Sequence, residues 1–131
     1  MRITSGKYRG RTVVCPPGVI RPAMDRMRES MFSILGDISD ITFLDPFSGS
    51  GLVGIEAASR GAEIVHLVEM DKGKKATIEK NISFVESTIK LFISNGFRLI
   101  PSAKTSYDII YADPPSPMKG KISIAEAVEK K

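Results

Sequence analysis

The chain is poor in the residues that most often carry chemistry. Its 131 residues include one cysteine, one histidine and no tryptophan. A lone Cys15 excludes an internal disulfide and suits a reducing compartment, so the expected location is the cytoplasm. The single histidine, His66, lies inside an apolar strand pattern. It is read as a strand residue without a chemical role, which leaves Cys15 no partner for nucleophilic catalysis and a metal site almost no ligand set. No apolar run approaches the roughly 20 residues that a membrane helix needs. The opening M-R-I-T-S-G-K-Y-R-G-R has no apolar signal-peptide core. The expectation is therefore no membrane and no metal. The length fits one domain, small for a doubly wound sheet, and an apolar fraction of 42% fits a globular protein.

The formal net charge of +4 is unevenly placed. Residues 1–30 hold seven basic and two acidic groups, and the remaining residues hold 12 and 13. Such an excess is either a solvated face or a phosphate-binding surface. The second reading is favoured, with Lys7, Arg9, Arg11, Arg21 and Arg26 as candidate phosphate contacts.

The chain is organised around Phe43 to Gly54, F-L-D-P-F-S-G-S-G-L-V-G. A short apolar run ends in Asp45, a small-residue loop follows, and a helical pattern begins at Leu52. Glycines permit a sharp turn and close approach of a ligand. The helix start supplies unpaired N–H groups and the positive end of a dipole. The spacing Gly49-x-Gly51-x-x-Gly54 fits a dinucleotide fingerprint, a weak signal by itself. A nucleotide such as NAD and a purely structural turn both remain open on these residues. Asp45 argues against NAD, because a carboxylate disfavours a nearby pyrophosphate.

Around this stretch the pattern alternates. Residues 1–20 read as a small basic β extension, with Ile3 and Thr12–Val14 strand-like. Asp25–Leu35 reads as a helix whose apolar side is Met24, Met27, Met31, Ile34 and Leu35. Strands are expected at Ile41–Asp45, Ile64–Glu69, Ile89–Ile93 and Tyr107–Ala112. Helices are expected at Leu52–Arg60 and Lys74–Val85, with a short one at Gly96–Ile100. Residues 118–131 read as a polar, weakly helical tail. Apolar strands separated by helices imply an α/β fold, a mostly parallel sheet covered on both faces. In such sheets ligands bind at the carboxyl ends of strands. Asp45, Glu69, Asn95 and Asp113 all fall at such ends, although strands often end in polar residues without function. Glu69 suits two ribose hydroxyls. Asp71 reads as the N-cap of the next helix, and Asn95 equally as an adenine contact or a turn residue.

Asp113-Pro114-Pro115 follows the last apolar strand. An acceptor side chain at Asp113 and the carbonyl of Pro114 could each take one N–H of an exocyclic amine. Pro114 and Pro115 would hold the backbone fixed.

The loop D-P-F-S-G-S-G resembles motif I of the class I S-adenosylmethionine-dependent methyltransferases. The chain as a whole resembles the RsmD family, 16S rRNA guanine-N2 methyltransferases. The matching stretches are R-I-T-S-G-K-Y-R-G-R (2–11), R-P-A-M-D-R-M-R-E-S-M-F-S-I-L (21–35), residues 43–62, V-E-M-D (68–71) and D-I-I-Y-A-D-P-P (108–115). The resemblance implies a Rossmann-like three-layer sandwich. It implies S-adenosyl-L-methionine held by Asp45, Phe47, Ser48, Gly49, Ser50, Gly51, Glu69 and Asn95, with catalysis at Asp113, Pro114 and Pro115. It implies 16S rRNA or the assembling small ribosomal subunit as partner. The family pattern has an aromatic residue after D-P-P, where this chain has Ser116, and further strands and helices beyond it. Residues 1–131 are read as one methyltransferase domain, with a β extension at 1–20, a core at 21–115 and a tail at 116–131, incomplete at the C-terminal edge of the sheet. An uncovered apolar edge at 107–112 is expected, and with it self-association. Two rival functions remain: an adenine-N6 methyltransferase acting on DNA, and an inactive RNA-binding remnant that keeps the cofactor pocket.

Overall fold

The computed structural model describes residues 1–15, 22–103, 106–113 and 125–127. Four strands run parallel: β1 Thr42–Asp45, β2 Ile64–Glu69, β3 Thr88–Ile93 and β4 Ile109–Tyr111. A fifth, β5 Ala125–Ala127, runs antiparallel to β4, and the sheet order is β3-β2-β1-β4-β5. Parallel neighbours need a crossover, usually a helix. The crossovers are α2 Leu52–Ser59, α3 Lys75–Ile82 and α4 Gly96–Ala103, and α1 Pro22–Leu35 precedes β1. A 3-10 turn, Lys72–Lys74, leads into α3.

Successive strand residues point to opposite faces, and the core divides accordingly. Phe43, Val65, Leu67 and Ile109 pack with Phe32, Ala57, Ala58 and Ile78 from α1, α2 and α3. On the other face, Leu44, Val68 and Ile110 meet Leu99 of α4 and Tyr107. A third cluster joins Ile3, Tyr8 and Val13 to Leu52 and Ile55 of α2.

That third cluster anchors the N-terminal unit, an isolated bridge between Arg2 and Thr12 closed by a turn. Gly6, at φ +88, lies against the end of α2, and a Cβ there would fall 2.0 Å from the Ser59 carbonyl oxygen. The backbone N–H of Lys7 donates to that carbonyl at 2.8 Å, and the N–H of Tyr8 to Ser59 Oγ at 2.9 Å.

The buried carboxylate of Glu56 is the second anchor. It accepts from the backbone N–H groups of Thr4 and Ser5 and from Thr4 Oγ1. It also pairs with Arg28 Nε and Arg60 Nε, each at 3.0 Å. Burial alone would raise its pKa. The Thr4 N–H, then Arg60 and Arg28, outweigh that and hold the carboxyl below its usual range.

This node corrects the expected face of α1. Arg28 and Phe32 are buried, and Phe32 stacks on Phe43 with ring centroids 6.1 Å apart. Met27 and Ile34 are 62% and 85% exposed. Periodicity counts arginine as outward-facing. Here the Glu56 carboxylate draws Arg28 inward and leaves Met27 and Ile34 toward solvent, while Met31 and Leu35 of the expected stripe pack against the core. The expectation at the C-terminal end is corrected as well. Residues 125–127 form a strand rather than a helical tail, and they pair with 109–111, so the β4 edge is not bare. The other strands and helices lie where the pattern placed them, with shifted ends. The regular part of the expected helix Lys74–Val85 is Lys75–Ile82, while the helices expected at Asp25–Leu35 and Gly96–Ile100 each extend three residues further, to Pro22 and to Ala103.

Candidate active site

The chain order reverses between β1 and β4, which makes their carboxyl ends a topological switch point. Asp45 ends β1 on one side of it, and Asp113 follows β4 on the other. Glu69 ends β2, and Asn95 lies between β3 and α4. The four polar residues singled out in the sequence thus stand along one end of four adjacent strands.

The glycine loop is built from the backbone upward. The N–H of Ser48 donates to the Val68 carbonyl at 3.0 Å and ties the loop to β2. Gly49 donates its N–H to Glu69 Oε1 at 3.0 Å, and Asp71 donates its own to Glu69 Oε2 at 2.9 Å. Both Glu69 oxygens are therefore oriented by backbone and keep lone pairs for hydroxyl donors. Gly51 sits at φ +85 with its Cβ position directed inward, 3.3 Å from Leu67 Cδ1. At Gly49 a Cβ would meet nothing within 4 Å. The open position of the loop is thus Gly49, while Gly51 serves the turn and the core. Ser48 Oγ is buried and has no hydrogen-bond partner among the described residues. An orphaned hydroxyl beside an open glycine is the kind of place a polar ligand completes.

Asp45 is 1% exposed and accepts from the Phe47 N–H at 3.2 Å. Burial pushes its carboxyl up to about 7 against the pull of that N–H, and the carboxylates of Asp113 and Glu69 add to the rise. Three acids around one loop attract cations and repel phosphates. Asp113 Oδ2 accepts from the Tyr111 hydroxyl at 3.3 Å. Burial first, then Asp113 and Asp45, raises the Tyr111 pKa, so that hydroxyl stays a donor. Phe47 and Phe97 rings meet at 4.7 Å and wall the loop toward α4.

Asn95 accepts from the Phe97 N–H at 2.9 Å, the turn role the sequence allowed. Asp71 accepts from the Gly73 N–H at 2.9 Å and caps the 3-10 turn. His66 Nδ1 lies 2.6 Å from the Tyr107 hydroxyl, a structural contact on the α4 face of the sheet. Pro114, Pro115 and Arg21 lie outside the described residues.

The basic residues do not gather here. Lys7 pairs with Glu86 and shares a hollow with Asp40, Gly61 and Glu63, which precede β1 and β2 at the amino end of the sheet. The length of α2, roughly 12 Å at 1.5 Å per residue, separates that end from the loop. Arg11 stacks over Phe84 at 4.3 Å. Arg9 and Arg26 are exposed. Arg26 stands near the start of α1, and Arg28, two residues on and so on the other side of the helix, was missed as a buried group. So was Glu56. The one sequence signal for that pair is an acid inside the small, apolar run of α2.

Comparison with known proteins places this chain in a family. A sequence model of the family described as Conserved hypothetical protein 95 matches residues 1–131. The ribosomal RNA small subunit methyltransferase D of Escherichia coli is 37% identical over 119 residues, 88% of this chain and 60% of that protein. The solved yhhF protein of Escherichia coli superposes with a TM-score of 0.76 at 36% identity, covering 88% of this chain and 65% of that one. The SMU.776 protein, a methyltransferase structure complexed with SAH, superposes with a TM-score of 0.60 at 25% identity, over 74% of this chain and 27% of that one. The chain spans about three fifths of the length of the curated relative. It belongs to the Conserved hypothetical protein 95 family, the RsmD family, with the class I methyltransferase fold.

Proposed function

We propose that the chain is an S-adenosyl-L-methionine-dependent methyltransferase that acts on the exocyclic N2 amine of a guanine in 16S ribosomal RNA. The observation that carries this reading is the carboxylate-lined glycine loop at the switch point, with Asp113 across from it. The residues present fit the cofactor. Glu69 offers two oriented oxygens for a ribose diol, Ser48 Oγ and the open side of Gly49 face the loop, and Asp45 suits a cation. When bound, S-adenosylmethionine supplies an electrophilic methyl group on a good leaving group.

What the protein must add is position. Asp113 accepts one N–H of the guanine amine and turns its lone pair away from the ring. In this reading the Pro114 carbonyl takes the other N–H, and Pro115 stiffens the loop. The proton lost from the amine leaves by way of Asp113 to solvent. Asn95 is proposed at the adenine edge and Phe47 along its side, with Ser50 and Gly51 shaping the loop. Lys7, Arg9, Arg11, Arg21 and Arg26 are proposed as phosphate contacts. Lys7 lies at the amino end of the sheet, away from Asp113, so reaching both takes an RNA segment longer than the target nucleotide, as an assembling small subunit provides.

Calorimetry and a transfer assay test this. S-adenosylhomocysteine should bind and NADH should not, and methyl should appear on guanine N2 of 16S rRNA. Transfer to DNA adenine instead would select the first rival. Cofactor and RNA binding without transfer would select the inactive remnant. RNA affinity should fall with salt, and each lost phosphate contact should flatten the log–log slope by roughly 0.7–0.9.

A further inference from the structure

The glycine loop is supported from outside the sheet by one buried amide. Asn81, near the end of α3, is 3% exposed. Its Nδ2 donates to the Ser50 carbonyl at 2.8 Å and to the Val14 carbonyl at 2.9 Å, and its Oδ1 accepts from the Val14 N–H at 3.0 Å. Two donors and one acceptor are all engaged, and every partner is backbone. Ser50 belongs to the loop, and Val14 follows Thr12, the outgoing side of the bridge in the N-terminal unit. Beside them Cys15 Sγ lies 3.7 Å from Ser50 Oγ, and Ser50 Oγ in turn accepts from the Leu52 N–H at 3.3 Å, the start of α2.

We propose that Asn81 is a positioning residue that joins residues 13–15 to the glycine loop, so that ligand binding at the loop and docking of the N-terminal unit are one coupled equilibrium. A buried amide with all its bonds made has two states only, engaged or lost, because a half-satisfied one is costly. A loop shifted by a ligand keeps the Ser50 bond only with Val14 in place. Conversely, a segment 13–15 that lifts away strands the amide and frees the loop. Linkage makes the effect reciprocal: the factor by which ligand favours docking equals the factor by which undocking weakens the ligand. The N-terminal unit carries Lys7, Arg9 and Arg11, so whatever engages those groups is felt at the loop through Asn81. This rests on the proposed cofactor reading for the identity of the ligand, and on the geometry alone for the tether.

Cys15 is the only cysteine in the chain and is half-buried, so its thiol reports on docking directly. The rate of its reaction with a maleimide is measured with and without saturating S-adenosylhomocysteine, in the wild type, Asn81→Asp and Asn81→Ser, with thermal melts showing that each variant is folded. In the wild type the ligand should slow labelling by about five- to a hundredfold, the range of ordinary coupling between sites. Asn81→Asp, which removes both donors and keeps the acceptor, should label faster without ligand and lose most of the protection. Its ligand affinity should fall by a similar factor. A purely structural asparagine would lower stability and leave the protection ratio as it was, and that result would overturn the proposal. Should the wild type bind no S-adenosylhomocysteine, the cofactor reading fails separately. The tether then stands if Asn81→Asp still speeds basal labelling, and falls if the rate is unchanged.

Discussion

Two buried carboxyls on neighbouring elements are set to opposite ends of the scale by what surrounds them. Asp45 has one N–H donor and two acids nearby, and is raised to about 7. Glu56 has two guanidinium groups and two backbone donors, and is lowered. The signs differ in consequence. An unfolded Asp45 carboxyl ionises near 4 while the folded one keeps its proton to about 7, so folding stability falls as pH rises between those values and is flat above. Asp45→Asn should remove that slope in denaturant titrations at pH 5 and 8. The same substitution should flatten the pH dependence of binding. A cationic cofactor favours the ionised acid, so S-adenosylmethionine affinity should rise as pH passes upward through 7. Glu56 contributes stability above its unfolded value and loses it as pH falls through its folded one. Truncating it strands Arg28 in the core, and Glu56→Ala is expected to cost about 3–5 kcal/mol of unfolding free energy by chemical denaturation.

Among the elements, α1 shows how a charge can override a hydrophobic stripe. Phe32 is 1% exposed and stacks on Phe43, with the Arg60 guanidinium 4.9 Å over its ring. Met27 and Ile34 on the same helix face outward. Phe32→Ala is therefore expected to lose about 3–5 kcal/mol, and Met27→Lys with Ile34→Lys to stay within about 0.5 kcal/mol each. Paired melts of the three variants check this, and a large loss at Ile34 would mean that the helix packs the other way. The helical spacing itself was legible in the sequence. Which side faces the core was not, because the deciding partner, Glu56, lies 28 residues away from Arg28 in the chain.

At the scale of the whole molecule, the sheet has an antiparallel member that no local pattern announced. Residues 125–127 read A-E-A, alanines around an acid, with none of the β-branched or aromatic content that marks a strand. They pair because β4 offers a row of unpaired backbone groups, a long-range condition. Deleting residues 125–131 should uncover that edge, and sedimentation should then show self-association at concentrations where the full chain stays monomeric. An unchanged sedimentation profile would show that β5 does not protect β4.

The local part of the fold was determined by the sequence alone. The strand Ile64–Glu69, the Ser48–Gly51 turn into α2 and the polar residues at strand ends follow from side-chain period, glycine placement and short-range capping. The parallel order follows from the alternation of strands and helices. Tertiary structure decided what depends on a distant partner. It buried Arg28 against Glu56 and turned Gly51 inward and Gly49 outward. It carried Lys7 to the end of the sheet away from Asp113, and fastened the N-terminal unit to the glycine loop through Asn81. Burial of a charge and satisfaction of a buried amide are properties of groups brought together from far apart in the chain, and a one-dimensional pattern holds no record of which groups those are.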